Sequence, residues 1–309
     1  MTTLSARFTT LISAAELQAL VAESDTRAPD GEVPSVVIFD CRHRLGDPDY
    51  GWSQYLSGHI PLARFVHLDR DLSSPVIRGR TGRHPLPDPV RFTGFLAQRG
   101  VSNGAQVVAY DDAGGAIAAR LWWMLRWLGH DDVAVLDGGI QAWLEAGGAL
   151  ESGDSGPVVR GSFVPSIRSE LLATYDHAAF RSREMTAGRA AGPLLDARAA
   201  DRFDGTNETI DPVAGHIPGA TSLPYSENLD EHLHFRSADE LRDRFTSAGV
   251  PPVKAGSSPT GPASPDAPIV YCGSGVTAAH NALAIKHAGL GDAKLYAGSW
   301  SEWVVRNDE

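Results

Sequence analysis

Short apolar runs, each closed by a polar or turn residue, alternate along this chain with longer stretches of helical period. Val36-Val37-Ile38-Phe39 closes on Asp40, Gln106-Val107-Val108-Ala109 on Tyr110, and Val135-Leu136 on Asp137-Gly138-Gly139. Continuous apolar runs of this length read as strands buried on both faces, as in parallel sheets. Between them lie helical patterns at Ala14 to Ala22, Pro89 to Gln98 and Ile117 to Leu128. The last contains Leu121-Trp122-Trp123-Met124-Leu125-Arg126-Trp127-Leu128, which reads as a tightly packed helix. Strand and helix in alternation predict βαβ units.

The whole series then occurs a second time. Pro193-Leu194-Leu195-Asp196 takes the part of the strand ending in Asp40. Gly58-His59-Ile60-Pro61 returns as Gly215-His216-Ile217-Pro218, an offset of 157 (58 to 215). The strand ending in Tyr110 returns as Pro268-Ile269-Val270-Tyr271, an offset of 161 (110 to 271), and Trp143 returns as Trp303, an offset of 160 (143 to 303). Helical patterns recur at Ala238 to Ala248 and Thr277 to His287. Landmarks repeated in order indicate a duplicated α/β domain, each copy a doubly wound parallel β-sheet with helices on both faces. The expected limits are 8–150 and 169–309, joined by a linker 151–168 that opens on Glu151-Ser152-Gly153-Asp154-Ser155-Gly156-Pro157. The Ser, Pro and Gly-rich segment Gly256 to Pro265 reads as a surface insertion.

One loop carries the clearest chemistry: Tyr271-Cys272-Gly273-Ser274-Gly275-Val276-Thr277, set between a strand and a helix. A cysteine there faces converging backbone N–H groups and the positive end of a helix dipole, and both stabilise a thiolate. The duplication aligns Cys272 with Asp111, which cannot act as a sulfur nucleophile. The first half is therefore expected to be chemically silent and to serve as a wall of the active cleft. Cys41 has no such cradle and reads as a structural thiol. His59 and His216, in twin motifs, read first as scaffold residues, and Asp40 and Asp196 as anchors for nearby backbone or arginine. Trp300 and Trp303 are expected near the floor of the site.

Composition narrows the choice further. With 309 residues, 42% hydrophobic and 21% charged, the chain can build ordinary globular cores. A net charge of −11 argues against nucleic acid or an anionic membrane as partner. No apolar run reaches the ~18–20 residues of a membrane span, and no secretory pattern opens the sequence, so a cytoplasmic location with two reduced cysteines is expected. The histidines and cysteines form no ligand cluster and no glycine fingerprint follows a strand, so neither metal nor cofactor is expected. A cysteine phosphatase would need an arginine six residues after Cys272, where the chain has Ala278.

Duplicated α/β halves with one loop cysteine resemble the tandem-domain rhodanese (sulfurtransferase) family. The resemblance covers nearly the whole chain and rests on Asp196-Ala197-Arg198, Gly215-His216-Ile217-Pro218-Gly219-Ala220, Cys272 to Thr277 and Gly298-Ser299-Trp300-Ser301-Glu302-Trp303. It implies two tandem rhodanese-like domains and a Cys272 nucleophile. Within the family the loop is similar to the mercaptopyruvate sulfurtransferase type, because thiosulfate-using members carry basic residues where this chain has Gly273 and Ser274. Thiosulfate is a dianion that favours cations beside the cysteine. Mercaptopyruvate carries one carboxylate, and amides with a hydroxyl can stabilise the enolate that forms as it loses sulfur.

The resemblance implies transfer of sulfane sulfur from 3-mercaptopyruvate, through a Cys272 persulfide, to a thiol, cyanide or a reduced thioredoxin-like protein. Thiosulfate as donor is the alternative, and a non-catalytic binding module is a third reading. It further implies that the amides of Gly273, Gly275, Val276 and Thr277 hold the persulfide and that Arg202 binds the donor carboxylate. Ser274, His59 and Asp49 would form a proton relay. The family's second substrate arginine lies before Gly-His-Ile-Pro, but Thr206-Asn207-Glu208-Thr209-Ile210-Asp211-Pro212 contains none. Arg198, Arg42 and Arg80 are the candidates to replace it, with Arg198 taken as a substrate-binding residue. A monomer is expected, since the duplication already provides a two-domain cleft.

Overall fold

The computed structural model describes residues 7–27, 33–189, 191–253 and 266–307. The surface insertion expected at 256–265 lies outside them. The chain divides into two compact units. One runs to Ser73 and continues through Pro87–Ile167 and His232–His234. The other takes Ser74–Leu86, Arg168–Glu231 and the chain from Phe235 onward.

The first unit contains β1 (Leu11–Ile12), α1 (Ala14–Arg27), β2 (Val36–Asp40), α2 (Tyr50–Ser57), β3 (Ala63–Phe65), α3 (Pro89–Gln98), β4 (Gln106–Tyr110), α4 (Ala118–Trp127), β5 (Val133–Leu136) and α5 (Gly139–Glu145). Its sheet has the order β1-β5-β4-β2-β3 and every pairing is parallel. All residues of the central strands β2 and β4 are buried, which is why their sequences run apolar without alternation. Ile38, Val108, Ala134 and Leu136 build the core together with Ile12 and Trp143. Every residue of α4 is buried, so its tryptophans are packing residues.

The second unit repeats the plan with β6 (Leu172–Ala173), α6 (Tyr175–Thr186), β7 (Leu194–Asp196), α7 (Ala200–Phe203), β8 (Thr221–Ser222), α8 (Ala238–Ser247), β9 (Ile269–Tyr271), α9 (Thr277–His287), β10 (Lys294–Tyr296) and α10 (Ser299–Asn307). The order β6-β10-β9-β7-β8 is the same and again wholly parallel. Leu194, Ile269, Tyr271, Tyr296 and Trp300 form its core. Ser237 and Glu240 close a reciprocal capping box at the start of α8, fixing where that helix begins.

The same polar framework braces both sheets. Arg42 pairs with Asp40 and donates to the Gly58 carbonyl at 2.7 Å. Arg198 pairs with Asp196 at 2.7 Å and donates to the Gly215 carbonyl at 2.7 Å. The Ile60 N–H donates to the Tyr110 hydroxyl, and the Ile217 N–H to the Tyr271 hydroxyl, each at 3.2 Å. Strand-end acid, arginine and tyrosine thus tie the Gly-His-Ile-Pro turn to the sheet. This is the physical content of the repeated motifs. Among the described residues, no helix is long and apolar enough to cross a membrane.

Candidate active site

β9 lies between β7 and β10, so Cys272, the next residue, leaves the sheet near its middle, at the strand's carboxyl end. A tight loop then leads into α9. Gly275 sits at φ +79, where a β-carbon would fall 2.3 Å from the Ala297 carbonyl oxygen, so only glycine fits. This turn brings the Gly275 N–H to 3.1 Å from the Cys272 sulfur. From below, the start of α10 holds the loop. The Cys272 N–H donates to Ser299 Oγ at 3.1 Å, Trp300 N–H to the Cys272 carbonyl at 2.9 Å, and Ser301 N–H to the Gly273 carbonyl at 2.9 Å. Ser299 itself is left-handed (φ 55), a conformation that costs of order 1–3 kcal/mol and is kept by its hydrogen bonds to Tyr296 and Cys272.

Cys272 is buried, and burial alone would push its thiol up. The Thr277 hydroxyl and the N–H groups of Ser274, Ala278 and Gly275 outweigh that penalty and hold the thiol below its ordinary value. The N-terminus of α9 acts in the same direction. Cys41 is the opposite case: burial, and then the charges of Asp111, Asp40 and Asp71, push its thiol far up. Its sulfur lies 3.9 Å from the Phe39 carbonyl oxygen. Of the two cysteines, only Cys272 is poised as a thiolate.

A cluster of ion pairs lies beside the loop. Arg202, on α7, engages Glu208 through Nε and Nη2 and reaches Asp211 at 3.0 Å through Nη2. Asp211 also accepts from Nη1 of Arg83, a residue of the 74–86 segment. That segment docks on α10, with Arg83 N–H donating to Ser301 Oγ at 3.1 Å. A β-carbon built on Gly273 would lie 2.7 Å from Arg83 Nη2 and 3.5 and 3.6 Å from Nη2 and Nη1 of Arg202. Both guanidinium groups therefore face the residue next to the nucleophile.

Two sequence expectations need correction here. Ser274 has a histidine partner, but it is His84, whose Nδ1 lies 2.7 Å from Ser274 Oγ. His59 is committed within the first unit. Its ring stacks on Tyr55 with centroids 4.0 Å apart, Nδ1 meets the Tyr55 carbonyl at 2.8 Å, and Nε2 meets Ser155 Oγ at 2.9 Å. His216 repeats this arrangement on Phe203, with centroids 3.7 Å apart. Both histidines brace the Gly-His-Ile-Pro turn. The side chain of Arg198 is 1% exposed and spends its donors on Asp196, Glu208 and Gly215, so it serves as a strut rather than a substrate cation.

Arg83, His84, Glu208 and Asp211 were not anticipated as site residues. The available signal was Gly79-Arg80-Thr81-Gly82-Arg83-His84-Pro85, a basic glycine-flanked stretch with no counterpart in the second half. Its place among the second unit's residues could not be read from its position in the first half of the sequence.

The family model described as "Rhodanese-like domain" matches residues 13–146 and again 182–306. The chain is 46% identical over 275 residues to the "Probable 3-mercaptopyruvate sulfurtransferase" of Pseudomonas aeruginosa, covering 88% of this chain and 90% of that one. It is 34% identical over 258 residues to the thiosulfate sulfurtransferase of Gallus gallus, covering 82% and 81%. Among solved structures, SseA from Escherichia coli, a 3-mercaptopyruvate sulfotransferase, superposes with a TM-score of 0.73 at 30% identity, over 95% of this chain and 100% of that one.

Proposed function

The chain belongs to the rhodanese-like sulfurtransferases, and from that premise we propose that it takes sulfur from 3-mercaptopyruvate onto Cys272 and passes it to a thiol or cyanide acceptor. Relatives named for both mercaptopyruvate and thiosulfate exist, so the donor is argued from the site. The observation that carries the reading is the company of Cys272: a lowered thiol in a loop whose side chains are uncharged, with Ser274 and His84 2.7 Å apart beside it.

In the first half-reaction the Cys272 thiolate attacks the sulfur of the donor. The donor's carbon–sulfur bond breaks, and its electron pair passes to carbon as the enolate of pyruvate. The sulfur stays on the enzyme as Cys272–S–SH. The enolate is protonated at carbon to give pyruvate, and the Ser274–His84 pair is suited to steady its charge and deliver that proton. Amides of Gly273, Gly275, Val276 and Thr277 hold the persulfide anion, while Arg202 binds the donor carboxylate. In the second half-reaction a thiol, cyanide or a reduced thioredoxin-like protein attacks the outer sulfur and Cys272 leaves as the thiolate its cradle favours. The working form in this reading is a cytoplasmic monomer.

The test compares kcat/KM for mercaptopyruvate and thiosulfate, with mass spectra of the enzyme after each donor. Mercaptopyruvate should give the higher kcat/KM and an adduct of about 32 Da, one sulfur, on Cys272. Faster turnover of thiosulfate overturns the donor. An adduct that persists in Cys272→Ser overturns the mechanism.

A further inference from the structure

The stretch that should supply a second substrate arginine, 206–212, supplies Glu208 and Asp211 instead. Both are buried carboxylates that hold arginines in place: Glu208 grips the Nε–Nη2 edge of Arg202, and Asp211 accepts from Arg202 and Arg83 together. From this geometry we infer that Arg83, carried in on the 74–86 segment, is the second cation of the donor site. Its Nη2 and the Nη1 of Arg202 grip the carboxylate of a 2-keto acid donor, and Asp211 fixes the two guanidinium groups as a pair. The inference rests on the sulfur-transfer reading above and deepens it.

Donor capacity supports the assignment. Arg83 spends only Nη1 on Asp211, and its Nε is closed to solvent with no hydrogen-bond partner among the described residues. Nη2 makes no hydrogen bond among the described residues and is not enclosed, so it is the charged donor left for a carboxylate. Arg202 uses Nε and Nη2 on acids, and Nη1 makes no hydrogen bond among the described residues. The spare groups converge: both guanidinium heads lie within 3.6 Å of where a Gly273 β-carbon would stand. Gly273 itself is part of the device, because a side chain there would collide with Arg83 Nη2 at 2.7 Å. A loop that carried its own basic side chain at 273 would exclude this arginine.

The charge balance also bears on the donor. Arg83, Arg198 and Arg202 face Asp196, Glu208 and Asp211, so the cluster has strong directional donors and no net positive charge. Such a site takes a single carboxylate through hydrogen-bond geometry and offers little to a compact dianion beside a thiolate.

Steady-state kinetics with mercaptopyruvate, and single-turnover loading of Cys272 by inorganic polysulfide, a donor without a carboxylate, test the inference in the wild type, Arg83→Ala and Arg83→Lys. Arg83→Ala should raise KM for mercaptopyruvate about ten- to a hundredfold, the value of one or two charge-assisted hydrogen bonds, with a much smaller change in kcat. Arg83→Lys should fall between, since it restores the charge without the fork. Loading by polysulfide should keep most of its rate in both variants. An unchanged KM in Arg83→Ala overturns the inference and leaves the donor reading standing, and so does an equal loss with polysulfide, which would mark a general distortion. A wild-type enzyme that loads from polysulfide but not from mercaptopyruvate overturns the donor reading and the clamp with it.

Discussion

The loop after β4 and the loop after β9 share one framework and differ in what fills it. In the first unit the Asp111 carboxylate occupies the cradle, accepting from the N–H groups of Ala113 and Gly115 on one oxygen and of Ile117 and Ala118 on the other, at 2.8–2.9 Å. In the second unit the Cys272 sulfur occupies it, with Gly275 N–H at 3.1 Å and the Thr277 hydroxyl and neighbouring amides lowering the thiol. Asp111 shows what such a loop does: it surrounds one negative charge with donors. Burial pushes the Asp111 carboxyl up, and its four amides work against that push. A carboxyl group, which has no sulfur to give or take, turns this arrangement to structure. A thiolate, which can leave its donors to attack and return to them as a persulfide, turns it to chemistry.

Exchanging the consequences of two substitutions tests the comparison most severely. Cys272→Ser should lower sulfur transfer more than about a thousandfold, as loss of a covalent nucleophile does, while shifting unfolding by less than about 1 kcal/mol. Asp111→Ala should do the reverse. It strands four N–H groups in a buried site and should cost about 3–5 kcal/mol in urea unfolding, while the molecules that remain folded still acquire the Cys272 persulfide. A mild unfolding phenotype for Asp111→Ala would mean that its cradle does not hold the charge tightly. A persulfide on the folded serine variant would mean that the second cradle is not where chemistry occurs.

Thr277→Val sharpens the comparison, because it removes one donor from the sulfur and keeps the shape. The Thr277 hydroxyl and the loop amides hold the free-enzyme thiol below its ordinary value. Reactivity is therefore full above the folded value and is lost as pH falls through it. Without the hydroxyl that loss should begin at higher pH. Alkylation of Cys272 by iodoacetamide at neutral pH should then slow about tenfold if the titration moves up by about one pH unit, and converge with wild type in strong alkali. Equal rates at neutral pH would assign the lowering to the amides alone.

Much of this is legible in the sequence itself. Strands β2 and β4 stand out because burial on both faces makes them apolar throughout, and Cys272 because glycines and a strand-to-helix junction are local features. The repeat exposed Asp111. What sequence could not give was the origin of partners from distant segments. His84 reaches Ser274 across 190 positions, and Arg83 reaches Asp211 across 128. His59 drew attention because its motif recurs, yet recurrence here reflects a shared brace, stacking on Tyr55 in one unit as His216 stacks on Phe203 in the other. Arg198 misled for the same reason: it duplicates Arg42, and both are struts to a strand-end aspartate.

The smallest effect should come from the tyrosines that precede the two cradles. Tyr110 and Tyr271 are both fully buried, and each hydroxyl accepts a buried backbone N–H at 3.2 Å while facing the strand-end aspartate, Asp40 or Asp196. Tyr→Phe at either position leaves that N–H, of Ile60 or Ile217, without its acceptor. About 1–3 kcal/mol of stability should be lost, and by similar amounts in the two cases. Tyr271→Phe is the more informative of the pair because Cys272 is the next residue. The donors that lower the thiol come from the loop and from Thr277, not from the tyrosine, so the pH profile of alkylation should be unmoved even as the unfolding midpoint falls. A profile displaced in Tyr271→Phe would show the strand-end network reaching into the cradle. A stability loss confined to one tyrosine would show that the two frameworks, alike in these contacts, have ceased to be equivalent in energy.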